Sequence, residues 1–322
     1  MSFFGLGDYQ TTIGREIVLE GIGVHGGKQV SLVLHPAAAN SGYNFYLKTA
    51  SSSLNHVPGD FRFVNNVTLC TVLASANGAT VATVEHLLAA LRGMGVDNVD
   101  IEVDSTEIPI MDGSSEPFVD AIDKAGVRQL PEVRKYIRVL RTVRVEEGDM
   151  VAEFTPYNGF KVDVEIDFET PLIGRQRMAI DVTPNNFRRE LCRARTFGFM
   201  RDVKKLWACG RALGASLDNT VAVGEDRIMN PGGLRYKDEF ARHKALDAVG
   251  DLSLAGAPIL GAFRSVRGGH KLNSMMLHAL FAAKSAWDVV ETATARPRHS
   301  KVVGHADIGF GIPQPAFAPQ KA

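Results

Sequence analysis

Apolar residues alternate with polar ones, or run together between Gly, Asn and Pro clusters, over residues 16–24, 29–34, 43–47 and 68–73, which predicts a sheet. The period then changes. Residues 83–94, TVEHLLAALRGM, repeat apolar positions with helical spacing and end at Gly95, and a strand over 98–103 and a helix over 115–124 follow. Residues 129–133 contain Pro131 and no periodicity, so the boundary between two domains is placed there. A second set of strands is expected over 136–145, 150–155, 161–167 and 177–182, with turns at Gly148 and Gly159. Thr183 suits a helix cap and Pro184 the first helical position, which predicts helices over 185–193 and 201–209. Residues 219–223 and 227–229 look like a hairpin that forms a wall beside a ligand groove. A long helix over 237–254, a strand over 259–266 and a helix over 272–290, with a stripe through Leu277, Leu280 and Phe281, complete the pattern.

Each half thus reads as a sheet followed by helix, strand and helix. The predicted class is α+β: two similar sheet-plus-helix domains, a duplicated unit, with the active site in the cleft between them. The domains are placed at 1–130 and 131–305, with residues 306–322 as a flexible tail because three prolines fall after Gly309.

Composition narrows the function classes. Lys plus Arg equals Asp plus Glu at 36 each, which argues against wrapping nucleic acid, and any anionic substrate must be held by local charges. Cys70, Cys192 and Cys209 have no paired spacing and read as reduced thiols. With no charged-then-apolar leader and no run of about 18 apolar residues, a cytoplasmic protein without stable membrane insertion is expected. The absence of heptads excludes a coiled-coil assembly, and a monomer is expected.

The segment HKALDAVGD places His243, Asp247 and Asp251 at four-residue steps on one helix face. Residues at i and i+4 lie about 5–6 Å apart at their β-carbons, close enough for an imidazole and a carboxylate to share an ion, although an isolated pair of this kind is far more often a surface ion pair. Glu85 and His86 open the corresponding helix of the first half among apolar Val84, Leu87 and Leu88, where two polar groups need a reason. If the halves pack about a pseudo-twofold axis, His86 meets His243 and Asp247. Two His and one Asp leave zinc an open fourth position, with Glu85 beside it as general base. His270, after Gly268 and Gly269, is either part of a structural turn or a general acid held cationic by Asp251.

The segments GIGVHGGK (Gly21 to Lys28), NNVTLCTVL, TVEHLLAAL, EIPIMDGSSEPF, RARTFGFMRD and DEFARHKALDAVGDL occur in an order that resembles the UDP-3-O-acyl-N-acetylglucosamine deacetylases over about residues 12 to 290. The resemblance implies one catalytic zinc ion on His86, His243 and Asp247, with Glu85 as base, His270 as an electrostatic or acid catalyst and Thr196 stabilising the oxyanion. It implies a UDP-sugar substrate carrying a long 3-O-acyl chain. It also places Phe199, Asp202 and Lys244 near the sugar nucleotide, Phe197 among the substrate contacts, and Leu69, Cys70 and residues 215–223, beginning with Ala215 and Ser216, near the acyl passage. Lys244 and Asp251 are counted with the catalytic groups, and Arg267 with the substrate contacts. Gly26, Met150 and Arg267 depart from the usual family residues, which bears on affinity rather than reaction type. For His25 and Asp112 a turn-forming role and a substrate contact both remain open. Recognition of the tail by a protease is a further expectation. The competing readings are a zinc amidohydrolase acting on another acylated sugar or peptide, and a non-catalytic sugar-nucleotide binder, which the presence of Glu85 disfavours.

Overall fold

The computed structural model describes residues 7–48 and 54–291; the tail over 306–322, and the protease recognition expected of it, lie outside them. The first half runs β1 (Tyr9–Ile13), β2 (Ile17–Ile22), β3 (Gln29–Pro36), β4 (Tyr43–Lys48), β5 (Leu54–Pro58), β6 (Val64–Asn66), β7 (Val72–Ala74), β8 (Thr80–Ala82), α1 (Glu85–Gly93), β9 (Val99–Val103), α2 (Glu116–Ala125) and β10 (Val127–Val133). The second runs β11 (Lys135–Val139), β12 (Val143–Glu147), β13 (Met150–Thr155), β14 (Phe160–Asp167), β15 (Arg175–Asp181), α3 (Pro184–Asn186), β16 (Phe197–Phe199), α4 (Val203–Ala208), β17 (Val221–Val223), α5 (Glu239–Ser253), β18 (Ile259–Val266), α6 (His270–Ala282) and β19 (Trp287–Glu291).

The duplication is explicit in the strand order. In the first half β9 lies between β3, antiparallel to it, and β4, parallel to it, with β2 and β5 outside. In the second, β18 lies between β13, antiparallel, and β14, parallel, with β12 and β15 outside. One helix precedes each central strand and another follows it, so α1 corresponds to α5 and α2 to α6. The second sheet also carries β11, parallel to β18, and β19 beyond it.

Alternation explains the sheets. Val30, Leu32 and Leu34 on β3, Phe45 and Leu47 on β4, and Val99, Ile101 and Val103 on β9 turn one face into the core. Each such burial stabilises by about 1.5–3 kcal/mol relative to exposure. Helix α1 is apolar around its circumference apart from three residues and is buried along its whole length, with Leu87, Leu88 and Leu91 fully enclosed. Gly95, at φ 75, ends it in a left-handed turn that returns the Val96 amide to the Leu91 carbonyl at 2.9 Å. Helix α5 packs along α1, and Gly250 is what lets it approach: a β-carbon added there would run into the Glu85 carbonyl.

Several elements differ from their sequence pattern. Residues 68–73 give only the three-residue β7, because Leu69 sits at φ 71, a conformation no strand uses. The run over 136–145 is split at Leu140, whose amide turns away to the Ala286 carbonyl, into β11 and β12. The last helix ends at Ala282, not at residue 290; Trp287–Glu291 pairs with β11, a role that suits its β-branched Val289 and Val290. The aperiodic stretch around Pro131 is strand β10, paired with β1, and the ladder shifts register between Tyr9 and Thr11 beside it. The expected hairpin reduces to a bridge between Val223 and Ile228, while β17 pairs in parallel with β16. Thr183 does cap, accepting from the Asn186 amide at 3.2 Å, but α3 passes at once into a π-helical turn over Phe187–Leu191. Over 201–209 a 3₁₀ turn leads into the short α4.

Candidate active site

Helix α1 begins under strain. Thr83 lies at φ 58, unusual for a β-branched residue, and its Oγ1 donates to Glu107 Oε1 at 3.1 Å. The same buried carboxylate accepts from the His25 and Gly26 amides at 2.8 and 2.9 Å. Glu107 therefore ties the β2–β3 turn to the start of α1 and fixes the two residues that follow. Glu85 Oε2 accepts from the Thr71 amide at 3.1 Å. Burial, reinforced by Asp251 and Asp247 and opposed by His270, pushes its carboxyl up to about 7.

Helix α5 supplies the facing groups. His243 Nδ1 lies 3.0 Å from the Ala194 carbonyl, which only accepts, so the proton sits on Nδ1 and Nε2 is left as a lone pair. That carbonyl is held in turn by its neighbour Arg195, whose guanidinium is clamped at 2.8 Å by Glu239, a wholly buried carboxylate. Asp247 Oδ1 has no hydrogen-bond partner although it is buried, and it faces Nε2 of His243 at 3.3 Å and Nε2 of His86 at 3.6 Å. One ligand atom from each of the three lies within 4.8 Å of the other two. Burial, with help from His243, pushes the His86 imidazole down to about 3, so it is neutral; burial also lowers His243. Asp247 is ionised: burial opposes this, but the cationic groups around it hold its carboxyl well below the usual range, with Lys244 Nζ 2.8 Å from Oδ2. Two neutral imidazole lone pairs and a carboxylate oxygen turned on one another, with no proton to share, are a set that can hold a cation.

His270 opens α6 instead of sitting in a glycine turn. Its Nδ1 bonds Asp251 Oδ2 at 2.8 Å, and Nε2 lies 3.9 Å from both Glu85 Oε1 and Asp247 Oδ2. Thr71 Oγ1 and Asn273 Nδ2 donate to Asp251 at 2.6 and 2.9 Å and fix it. Burial alone would lower the imidazole, but Asp251 outweighs it with Glu85 and Asp247 and raises it to about 9, so His270 is cationic at neutral pH. Asp251 stands behind His270 and does not line the cavity.

The groups that face one another here open on one cavity of about 940 Å³, with Asp251 and the other supporting residues behind its wall. Its lining brings Glu85, His86, His243, Lys244, Asp247 and His270 together with Thr196, Phe197, Phe199, Asp202, Leu69, Cys70, Ala215, Ser216 and Arg267. Lys244 Nζ lies 5.7 Å from the Phe197 ring centre, and Arg267 pairs with Asp149 and Asp167. The Cys70 thiol is pushed up to about 12 by burial, so it presents no thiolate. His25 and Met150 also line the cavity, and the buried His25 Nδ1 has no partner, whereas Asp112 is engaged by Ser114 and Arg235 away from it. Of the six non-glycine residues with positive φ among those described, four (Leu69, Thr83, Ala212 and Arg267) line this cavity, so backbone strain concentrates here. The supporting groups Glu107, Thr71, Asn273, Arg195 and Glu239 had no role in the sequence reading. The only signal for them was a charged or polar residue at a position whose neighbours are apolar, as in EIPI around Glu107.

Residues 10–282 match the family model described as UDP-3-O-acyl N-acetylglycosamine deacetylase. The chain is 50% identical over 287 residues to the UDP-3-O-acyl-N-acetylglucosamine deacetylase of Brucella ovis, a match covering 88% of this chain and 99% of the relative. The proteins of the same name from Brucella abortus and Brucella melitensis are as similar over the same span.

Proposed function

Because the chain belongs to the UDP-3-O-acyl-N-acetylglucosamine deacetylase family, we propose that His86, His243 and Asp247 hold one zinc ion and that Glu85 is the base of the reaction. The enzyme hydrolyses the N-acetyl group of UDP-3-O-(3-hydroxyacyl)-N-acetylglucosamine to the free amine and acetate, the committed step of lipid A synthesis. The observation that carries the metal assignment is the buried, unpartnered Asp247 Oδ1 facing two imidazole nitrogens.

A zinc ion bound there supplies a Lewis acid and brings the pKa of a ligated water down to about 7. The protein does the rest. Glu85, tuned to about 7 by burial, accepts the proton of the attacking water and is matched to neutral pH. Thr196 donates its hydroxyl to the acetamide oxygen as negative charge develops there. His270, kept cationic by Asp251, delivers a proton to the departing amine nitrogen. Lys244 neutralises Asp247 and, with Phe197, Phe199, Asp202 and Arg267, positions the sugar nucleotide. The 3-O-acyl chain takes the apolar arm of the cavity past Leu69, Cys70, Ala215 and Ser216.

The division of the two domains near residue 130, where β10 gives way to β11, belongs to the same reading, as do a monomeric state and cytoplasmic location. Among the described residues no helix is long and apolar enough to cross a membrane. Treatment with a chelator should abolish acetate release and zinc should restore it, while the fold survives because the ligands line a cleft and do not form a core. Full turnover by metal-free protein would overturn the assignment.

A further inference from the structure

We propose that the rim of the acyl cavity is a docking surface for an anionic phospholipid bilayer. The purpose given to the cavity rests on the reading above; the surface itself stands on separate observations. Trp207, Leu213, Leu69 and Met200 are 56%, 53%, 51% and 46% exposed, and all but Leu213 also line the cavity. Scattered apolar side chains are ordinary on a protein surface, but a group of this size rimming an apolar opening marks a contact site. Trp207 is the penultimate residue of the short α4, and its indole Nε1 donates to the Ala212 carbonyl at 3.2 Å, which fixes the ring at the rim. Indole rings favour the boundary between headgroups and acyl chains.

The charge of the same segment selects the lipid. Between Met200 and Asp218 the chain carries Arg201, Lys204, Lys205 and Arg211 against Asp202 and Asp218, in a protein whose charges balance overall. Arg201, Lys204 and Lys205 are exposed, and among the described residues none of the four cations is in an ion pair; Arg201 lies over the Phe199 ring at 4.7 Å. Basic residues flanking an apolar group are the arrangement that adsorbs to an anionic headgroup layer, each worth about fivefold in partitioning near the surface. A bilayer fits this rim better than another protein because the ligand of the cavity itself ends in a long acyl chain. Docking lets that chain pass between cavity and hydrocarbon without crossing water.

The test is sedimentation of the full chain, free of substrate, with vesicles of phosphatidylcholine containing phosphatidylglycerol and with vesicles of phosphatidylcholine alone. The protein should pellet with the mixed vesicles, much less with the neutral ones, and should be released as salt rises and the charges are screened. Lys204→Glu reverses a charge and should reduce partitioning by about tenfold or more, and Leu213→Ser several-fold. Neither side chain lines the cavity, so both variants should keep parental turnover and thermal stability. Equal binding to both vesicle types, no binding, or parental binding by Lys204→Glu overturns the proposal. So does a concentration-dependent dimer lost in the same variants, which would assign the rim to a second copy of the chain. Because binding is measured without substrate, failure of deacetylation with binding intact counts against the earlier reading alone.

Discussion

Helices α1 and α5 occupy equivalent places in the two halves, yet they hold the groups that face the cavity in different ways. On α5 the groups lie mid-helix and are oriented by partners: His243 by the Ala194 carbonyl, Asp247 by Lys244, and Asp251 by Thr71 and Asn273. On α1 they occupy the first two positions, and His86 Nδ1 has no hydrogen bond at all. What places His86 is the packing of the helix that carries it, anchored by the strained Thr83, by Glu107 and by the contact at Gly250. Glu85, like the α5 groups, is oriented by a hydrogen bond, whereas the His86 ring is placed by the backbone packing of its helix.

The largest effect should therefore come from the contact between the helices. Gly250→Ala puts a β-carbon into the Glu85 carbonyl, and since backbone must move, it should cost about 3 kcal/mol or more and lower bound metal together with the melting temperature. Parental stability with full metal content would show that α1 does not depend on this contact.

Removing either histidine should weaken the metal by more than the roughly 10–100-fold that loss of a supporting partner costs. The two variants should separate in stability. His243→Ala also leaves the buried Ala194 carbonyl without its partner, so in metal-free protein it should be less stable than His86→Ala by about 1 kcal/mol, read from denaturant unfolding. Equal losses would remove the distinction between the two helices.

A smaller effect tests the partner network of α5. His270 must be protonated to donate, so activity is present below its pKa and lost as pH rises through about 9. Asp251→Asn removes the charge that raises this imidazole, and the alkaline limb of the pH profile should move down by about one to two units. An unmoved limb would mean that another group titrates there.

The sequence carried the duplication because amphipathic strands and helices recur in the same order, and β13 and β18 have the bounds that their patterns indicate. It carried the clustering of His86, His243 and Asp247 because polar residues at helical spacing stood among apolar ones. The strand at Trp287–Glu291 was hidden because the apolar stripe of α6 runs up to it without a Gly or Pro break. The hydrogen-bonding supports were hidden for another reason. Glu107 and Glu239 act across 24 and 44 residues, on Thr83 and Arg195, and no local spacing reports such a contact.

The central claim is that Glu85 acts as base beside a metal it does not bind, and Glu85→Gln tests it most directly through bound zinc and turnover measured on the same sample. The amide keeps the size of the side chain but cannot accept a proton, so the variant should retain about one zinc per chain while the chemical step slows by about two to four orders of magnitude. Loss of the metal, or turnover at the parental rate, would contradict the account.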